Sequence, residues 1–265
     1  LDTDGHKLTK EVIKSFQQTV VFKEATVPKP VTTTVTKKKP VTTTPVVKKP
    51  VAPKPPVKTV PISNTGKPVK KVLTGKFTDP REGGGTYHTV KIGTQTWMSV
   101  NLDVSTFLNG DRIPEAKTVE EWKSAGANRK PAWCYYHNDP AIGKIRGKLY
   151  NWYAVNDPRG LAPEGWHVPS DEEWRVMTED LGGKEKEDTI EGIQIWYTPS
   201  AGGKMKSEGT HYWKSPNGEA TNSSGFSGLP SGDRTDEGFS SIRHAGLWWS
   251  SSRYVSRYVA GYAWY

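Results

Sequence analysis

Apolar and polar residues alternate in two short runs near the middle of the chain. The first run is Thr89-Val90-Lys91-Ile92 and the second is Gln95-Thr96-Trp97-Met98, with Gly93-Thr94 between them. Alternation with a period of two places the apolar side chains on one face of a strand. A two-residue turn with Gly at its first position is typical of antiparallel neighbours. The pattern therefore predicts a β-hairpin over residues 89–98.

Capping boxes, in which Ser or Thr is followed three residues later by Glu, indicate two helices. The two boxes and the expected helix ends are Thr118 with Glu121, ending near Gly126, and Ser170 with Glu173, ending at Gly182-Gly183. Beyond residue 183 the pattern predicts short strands joined by loops and no helix. The predicted fold class is α+β, with short strands, two short helices and many loops.

Apolar residues recur at helical spacing before residue 28 and predict a helix over residues 9–24. We interpret residues 1–27 as the C-terminal helix of a truncated upstream module. The apolar positions are Leu8, Val12, Ile13, Phe16 and Val20. A second pattern in this segment resembles the end of an EF-hand calcium loop, although Lys7 stands where an apolar residue is usual. Its residues are Asp2, Asp4, Gly5 and Glu11.

Residues 28–78 have a composition of their own. Between Pro28 and Lys71 the chain has ten Pro and eleven Lys, with no acidic and no aromatic residue. Such a segment buries too little apolar surface to offset the entropy of ordering it, and Pro together with like charges extends it. We predict a disordered linker over residues 28–78. Its role stays open between a stalk that holds a domain away from a surface and a plain interdomain tether.

The formal net charge of +9 is distributed unevenly. Residues 1–80 carry 16 Lys, no Arg and five acidic residues, a net charge of +11, whereas the rest of the chain has a net charge of −2. A nucleic-acid-binding domain is expected to carry its basic residues on the folded part, so we expect no nucleic-acid partner. No apolar run approaches the 18 residues typical of a transmembrane helix, so we expect no membrane-spanning segment.

Aromatic residues mark the folded part of the chain. All 11 Trp and all 11 Tyr lie beyond Gly83. Trp is a large apolar residue whose indole N–H needs a partner when buried, and most of these Trp are predicted to lie in the core. The composition places one domain over residues 83–265.

Eight sequence blocks follow one another within that domain. They lie at residues 92–98, 101–114, 131–136, 147–155, 161–170, 173–174, 224–230 and 248–251, and include Gly-Lys-Leu-Tyr-Asn-Trp-Tyr-Ala-Val, Gly-Trp-His-Val-Pro-Ser and Trp-Trp-Ser-Ser. Together they resemble the Fibrobacter succinogenes major paralogous domain, which is common in surface and secreted proteins of Bacteroidetes and Fibrobacteres. The resemblance implies a C-type-lectin-like fold, which is shared with formylglycine-generating enzymes.

The resemblance also changes the interpretation of Cys134, the only Cys of the chain. It implies a closing strand beyond Tyr265 that carries a Cys, and a disulfide from Cys134 to that residue in an oxidising compartment. On composition alone, a single Cys is instead a buried, unpaired thiol. Both interpretations stay open.

Residue types limit the catalytic and metal chemistry. Formylglycine generation relies on two cysteines, and the triplets with which lectins of this fold hold calcium do not occur, so we expect neither activity. Asp233, Asp236 and Glu237, in a Gly-rich loop, are weak candidates for a structural calcium site, with a solvated acidic loop as the alternative. No other cofactor is expected. The six His lack metal-site spacing, and His167 is predicted to make a structural hydrogen bond.

Residues 250–265 contain no acidic residue, Lys or Pro and are rich in Ser, Tyr and Arg. Tyr gives a large contact area at low entropic cost, and Arg gives forked hydrogen bonds. The alternative is an amphipathic strand pair with Tyr and Trp packed inward. The resemblance adds that diversity-generating retroelements write their variable residues in this region of the fold. The predicted ligand-binding residues are Trp249, Arg253, Tyr254, Ser256, Arg257, Tyr258 and Tyr262.

These observations predict a non-catalytic recognition or adhesion domain whose ligand is a glycan or a protein at a cell surface. The expected location is extracellular or on the outer membrane of a bacterium, with attachment, including a lipid anchor, through the N-terminal region. Two other classes stay open: a catalytic or accessory domain of a hydrolase acting on polysaccharide, and a structural repeat of the cell envelope with no ligand.

Overall fold

The computed structural model describes residues 18–19, 23–24, 72–184, 186–190, 193–197, 200–252 and 262–264. Five short helices lie in these residues: α1 (Val119–Ala127), α2 (Pro140–Arg146), α3 (Trp152–Val155), α4 (Asp171–Asp180) and α5 (Gly202–Met205). The described strands are β1 (Gln18–Thr19), β2 (Lys23–Glu24), β3 (Leu73–Thr78), β4 (Thr86–Ile92), β5 (Gln95–Met98), β6 (Trp133–Cys134), β7 (Leu149–Tyr150), β8 (Trp166–His167), β9 (Lys186–Ile190), β10 (Ile193–Tyr197), β11 (Ser231–Arg234), β12 (Phe239–Ile242), β13 (Gly246–Trp248) and β14 (Tyr262–Trp264). This mixture of helices and strands confirms the α+β class.

Two five-stranded sheets organise these elements. One has the strand order β14-β13-β1-β7-β6, and the other has the order β3-β4-β5-β2-β8. The pairs β9–β10 and β11–β12 form separate two-stranded sheets. Only β1 and β13 run parallel among the described strand pairs, and the other pairs are antiparallel.

The predicted hairpin is confirmed as β4 and β5. Val90 pairs with Trp97 across the two strands, and both side chains are fully buried. Gly93 in the turn has φ 57°, which a residue with a side chain rarely adopts. A Cβ atom at this position would also lie 1.5 Å from the carboxylate of Asp180 on α4. The turn therefore requires Gly, whereas the exposed Asp180 side chain is free to move away from a Cβ atom.

An aromatic cluster fills the centre of the domain. Trp97, Trp174, Trp248 and Phe226 are each at most 2% exposed, and their rings pack against one another. The closest pair is Trp97 with Trp174, with ring centroids 4.7 Å apart. The prediction that most Trp lie in the core is confirmed for the described residues, of which the buried Trp are Trp97, Trp122, Trp133, Trp174, Trp213, Trp248 and Trp249.

Both predicted helices are confirmed, as α1 and α4, and each begins with its capping box. The prediction of no helix beyond residue 183 is wrong, because α5 forms one turn at Gly202–Met205. Its Gly-rich sequence carries no helix signal, but Gly lets the turn pack closely: a Cβ at Gly203 would lie 2.5 Å from the carbonyl oxygen of Glu219. Tertiary packing here outweighs the low helix propensity of Gly.

The structure moves the start of the domain upstream of residue 83. Residues 73–78 were predicted to belong to the disordered linker, but they form β3 and pair with β4 along its whole length. Phe77 packs against Trp166 with ring centroids 5.3 Å apart. Because most side chains of this edge strand are exposed, its composition resembles that of the linker. Residues 28–71 of the predicted linker lie outside the described residues.

The N-terminal segment also differs from the prediction. A helix over residues 9–24 would include Gln18–Thr19 and Lys23–Glu24, but both pairs are strands that join the two large sheets. The sequence Thr19-Val20-Val21-Phe22 is rich in β-branched and aromatic residues, which favour strands. This preference competes with the helical spacing. The other residues before 27, including the Asp2–Glu11 calcium-loop pattern, lie outside the described residues.

Candidate ligand-binding site

The first turn of α4 is held by a local network of hydrogen bonds. The Ser170 hydroxyl accepts from the backbone N–H of Glu173 at 3.3 Å, and the Glu173 carboxylate accepts from the N–H of Ser170 at 2.9 Å. The His167 Nε2 atom lies 2.9 and 3.0 Å from the two carboxylate oxygens of Glu173. The predicted structural role of His167 is confirmed, and its ring ties β8 to the start of α4.

The same turn anchors the beginning of the predicted ligand-binding segment. The backbone N–H of Asp171 donates to the Ser252 hydroxyl at 3.0 Å, and the N–H of Ser251 donates to the carbonyl of Pro169 at 2.8 Å. The N–H of Ser252 donates to the hydroxyl of Ser250 at 3.1 Å. Three consecutive serines are thus fixed against the N-terminus of α4.

Asp171, whose backbone N–H takes part in this anchor, also brings a charged side chain to it. Burial raises the pKa of Asp171, while a hydrogen bond from the buried Ser250 lowers it by a smaller amount. The Oδ1 atom of Asp171 is buried and has no hydrogen-bond partner among the described residues. The half-buried carboxylate of Asp171 therefore lies where the start of the predicted binding segment contacts the first turn of α4.

The other end of the segment is anchored in a sheet. Tyr262 lies in β14 and pairs with Trp248 of β13. Trp248 is 2% exposed and lies in the aromatic cluster. Residues 253–261 therefore connect two fixed points, Ser252 and Tyr262. Five predicted binding residues lie outside the described residues, and these are Arg253, Tyr254, Ser256, Arg257 and Tyr258.

Trp249 does not belong to an exposed surface, and its prediction as a ligand-binding residue is corrected. It is 4% exposed, its Nε1–H donates to the carbonyl of Tyr150 at 3.0 Å, and its ring centroid lies 5.6 Å from that of Trp152. Both members of the Trp248-Trp249 pair are buried. The sequence could not reveal this, because strand alternation predicts that only one of two neighbours faces the core.

The three acidic residues predicted as weak metal ligands are not brought together. Asp233 is fully buried on β11 and accepts hydrogen bonds from the Ser240 hydroxyl at 2.9 and 3.0 Å. Asp236 and Glu237 lie exposed in the turn that joins β11 to β12. Within the part of the chain that the structure describes, no group of three or more His, Cys, Asp or Glu side chains is arranged to hold a metal. Asp233 is instead a structural residue of the hairpin.

Cys134 lies on β6 and is fully buried. Burial raises the pKa of its thiol to about 11, with a smaller opposing contribution from the nearby Arg234, so the thiol is protonated at neutral pH. It packs in a second cluster that includes Trp122 and Leu149. The disulfide implied by the resemblance stays a prediction.

Among the buried cations that were not singled out in the sequence, Arg234 and Lys148 are the most deeply buried. Arg234 is 1% exposed and donates to the carbonyls of Ala116 at 2.8 Å and Thr118 at 2.6 Å, with its guanidinium between the rings of Trp122 and Phe239. No local signal identifies it, because its partners lie more than a hundred residues away in the chain.

The second buried cation is Lys148. It is 3% exposed, forms an ion pair with Asp103 and donates to the Tyr135 hydroxyl at 2.9 Å. Its Nζ atom lies 4.5 Å from the ring centroid of Trp133. It lies in the block at residues 147–155, one of the eight blocks that resemble the family, but the sequence alone indicates no role for this Lys. Carbonyls, a carboxylate and aromatic rings surround the two cations, and of their buried polar atoms only the Nε of Arg234 has no hydrogen-bond partner among the described residues. Both cations therefore stabilise packing.

A shallow cleft lies beside the aromatic cluster. It is lined in part by Ser99, Asn101, Gly228 and Trp248, and it has room for roughly one water molecule. Asn101 accepts from the Trp248 indole at 3.1 Å and donates to the carbonyl of Arg146 at 2.8 Å. This cleft is too small to enclose a sugar or a peptide side chain.

Comparisons with known proteins give one family match. Residues 90–262 match the family model described as the Fibrobacter succinogenes major domain. No curated protein matches the chain, and no solved structure matches it. No helix in the described residues is long and apolar enough to cross a bilayer.

Proposed function

This chain belongs to the Fibrobacter succinogenes major domain family, and on that premise we propose that it is a non-catalytic ligand-binding domain of C-type-lectin-like fold. The domain is displayed at a bacterial cell surface, with attachment through the N-terminal region. Its ligand is a glycan or a protein, contacted by the segment between Ser252 and Tyr262.

The observation that carries this proposal is the anchorage of both ends of that segment. Ser252 is hydrogen-bonded to the first turn of α4, and Tyr262 pairs with a strand whose side chains are buried in the core. Binding residues are often found on loops positioned by a rigid scaffold. Fixed ends also reduce the conformational entropy lost on binding, which favours affinity.

The chemistry of the segment fits a surface ligand. Residues 253–262 contain three Tyr and two Arg with no acidic residue. Tyr rings stack on sugars and on apolar protein surfaces, and Arg donates in pairs to carboxylates and carbonyls. The rest of the domain is close to neutral, so binding depends on local contacts rather than on long-range attraction.

The test is a four-residue variant of the full chain, with Arg253, Tyr254, Arg257 and Tyr258 each replaced by Ala. A matched control removes two exposed positive charges elsewhere, by Lys123→Ala with Lys130→Ala. Both variants and the wild type are measured on a glycan array and on immobilised bacterial surface proteins, together with the melting temperature.

We expect ligand capture by the four-residue variant to fall at least tenfold while its melting temperature stays unchanged. The control variant should match the wild type in both ligand capture and melting temperature. Equal capture by all three chains contradicts the proposed surface. A fall in melting temperature confined to the four-residue variant supports the inward-packed strand pair instead. Release of reducing sugar from a polysaccharide by the wild-type chain would show that the domain is a hydrolase.

Diversification of the same segment is a separate part of the proposal. If a retroelement writes these residues, the gene lies near a reverse transcriptase gene and a near-copy of the coding region for residues 250–265 that differs at adenines. Genome sequencing of the locus checks this. If neither the reverse transcriptase gene nor the near-copy is found, the domain is a binding domain whose surface residues are not diversified.

A further inference from the structure

Two arginines meet at the backbone carbonyl of Pro230. Arg146 ends α2, and its Nη1 atom donates to the Pro230 oxygen at 2.5 Å, although the two residues are 84 positions apart in the chain. Arg243 follows β12, and its backbone N–H donates to the same oxygen at 3.1 Å. Burial lowers the pKa of Arg146, and the nearby charge of Arg243 lowers it further. The fold therefore brings two positive charges close enough to repel each other.

The charge of Arg146 has no carboxylate beside it within the described ranges. Arg146 is 9% exposed, yet neither it nor Arg243 takes part in any salt bridge between described residues. The Nε and Nη2 atoms of Arg146 make no hydrogen bond to a described residue, and neither is fully enclosed. A buried charge without a counter-charge is costly, and Arg stays protonated in proteins. An anion that reached these two nitrogen atoms would therefore stabilise the site.

A loop fixes the second arginine and an aromatic ring beside Arg146. The Nη2 atom of Arg243 donates to the carbonyl of Thr210 at 3.0 Å. Trp213 is 2% exposed and anchors the same loop in the interior. Tyr212, next to this anchor, is half-buried, and its ring centroid lies 5.7 Å from the Cζ atom of Arg146. Two guanidinium groups and a Tyr ring are thus held together by separate parts of the fold.

We propose that Arg146, Arg243 and Tyr212 form a binding site for the carboxylate of an acidic sugar, such as a uronic acid residue of a polysaccharide. A guanidinium group donates forked pairs of hydrogen bonds to a carboxylate. The Tyr212 ring offers apolar contact area to a sugar ring and a hydroxyl to its polar groups. A simple anion would use the arginines without the ring, so the ring favours a sugar. The site shares no residue with the segment between Ser252 and Tyr262 and does not depend on the function proposed for that segment.

The experiment measures the binding of a trisaccharide with a single uronic acid to the full chain by isothermal titration calorimetry. A single carboxylate and about 0.15 M salt limit attraction to the Lys-rich residues 28–71, because salt screens separated surface charges. The same trisaccharide with its carboxyl group methyl-esterified is the control ligand. A peptide of similar size with a free C-terminal carboxylate is the rival ligand.

The variants are Arg243→Gln, Arg146→Gln and Tyr212→Ala. The matched control is Arg129→Gln, because Arg129 is also exposed and also has a positive φ, 54° against 69° for Arg243. We expect the control to bind the acidic trisaccharide as the wild type does. Each of the other two Arg variants should bind it at least tenfold more weakly, a loss of about 1.4 kcal/mol, because charge-assisted hydrogen bonds are the stronger class. Tyr212→Ala should weaken binding by a smaller factor.

The methyl ester should bind the wild type at least tenfold more weakly than the acid. Equal binding of the acid and the ester, or no binding of either, overturns the proposal. An equal loss in Arg129→Gln would show a general effect of positive charge and also overturns it. Tighter binding of the peptide than of the trisaccharide assigns the site to a protein partner and overturns the sugar assignment. Should Arg146→Gln fail to fold, Arg243→Gln and the ester still decide the outcome.

The four-residue variant described above separates this site from the segment between Ser252 and Tyr262. It should bind the acidic trisaccharide with the affinity of the wild type, whatever it does on the glycan array. Loss of binding in that variant, with Arg243→Gln unchanged, assigns the sugar to the other segment and overturns the site at Arg146.

Discussion

Helices α1 and α4 begin with the same local arrangement, a capping box formed by Thr118 with Glu121 in one and by Ser170 with Glu173 in the other. Their surroundings differ. The start of α1 is exposed, and the helix buries only Trp122. The start of α4 is half-buried and faces Ser252, and the helix places Trp174 in the centre of the core.

The two helix starts also differ in the charges around them. At α1, the carbonyls just before the helix accept hydrogen bonds from the buried Arg234. At α4, the half-buried Asp171 lies beside the serines that begin the predicted binding segment. One capping box thus supports a buried cation and the other supports a candidate binding site. A local signal specifies where a helix begins, whereas its neighbours decide what that end does.

The largest expected difference between the helices comes from their tryptophans. Trp174→Ala opens a cavity in the aromatic cluster and should cost about 5 kcal/mol, whereas Trp122→Ala, in the smaller cluster, should cost about 3 kcal/mol. Urea unfolding of both variants measures the two values, and Trp174→Phe with Trp122→Phe supplies milder controls. A cost for Trp122→Ala equal to or above that for Trp174→Ala contradicts the ranking of the two clusters.

The arginines at the two helices should differ next. Arg234→Met leaves buried carbonyls without donors and should cost about 3 kcal/mol. Arg175→Met on α4 removes only exposed ion pairs with Glu172 and Glu179 and should cost about 0.5 kcal/mol. Denaturant midpoints give both values. Similar costs for the two variants would mean that Arg234 is not the buried anchor described above.

Removing the caps should have equal effects on stability and different effects on the site. Thr118→Ala and Ser170→Ala should each cost about 1 kcal/mol of unfolding free energy. Because Ser251 and Ser252 are bonded to the start of α4, only Ser170→Ala should speed hydrogen exchange at the amides of Asp171 and Ser251. Faster exchange at these amides in Thr118→Ala as well would show that the contact with Ser251 and Ser252 does not distinguish the start of α4 from the start of α1.

The smallest effect is a difference in pH dependence. The N–H groups of Thr118 and Lys117 lower the pKa of Glu121, so this residue stabilises the fold above its unfolded pKa and loses that contribution as pH falls through its folded pKa. Burial raises the pKa of Asp171, so its ionised form is disfavoured in the folded state at higher pH, and that penalty disappears as pH falls.

The expected slopes are therefore opposite. Relative to the wild type, Glu121→Gln should become less stable as pH rises from 3 to 6, and Asp171→Asn should become more stable over the same interval. Thermal unfolding at several pH values measures both. Slopes of the same sign would show that the two helix starts do not differ in the way described.

The hairpin at residues 89–98 and both capping-box helices could be predicted because their signals lie within a few residues. Helix α2 was missed although Asp139 caps it and Pro140 occupies its first turn, a readable signal. Helix α5 and strand β3 could not be found in this way, since the first is Gly-rich and the second is mostly exposed.

The candidate site was predictable only in part. Composition singled out residues 250–265, but the anchorage of Ser252 on α4 and of Tyr262 on β13 joins parts of the chain far apart in sequence. The same distance explains the correction of Trp249, which donates to the carbonyl of Tyr150, 99 residues away in the chain. Asp233 instead accepts from Ser240 within the β11–β12 hairpin, and its burial there was not predicted from its residue type.

The sequence by itself determined the short-range features of this protein: the hairpin with Gly93, the starts of α1 and α4, the confinement of the excess positive charge to residues 1–80, and the family blocks. Only the tertiary structure decided which aromatic residues are buried, which carbonyls Arg234 binds, and that β1 and β2 enter the sheets. Caps and tight turns depend on atoms three or four residues apart, which the residue order fixes directly. Burial and strand pairing depend on residues that meet only when the whole chain has folded.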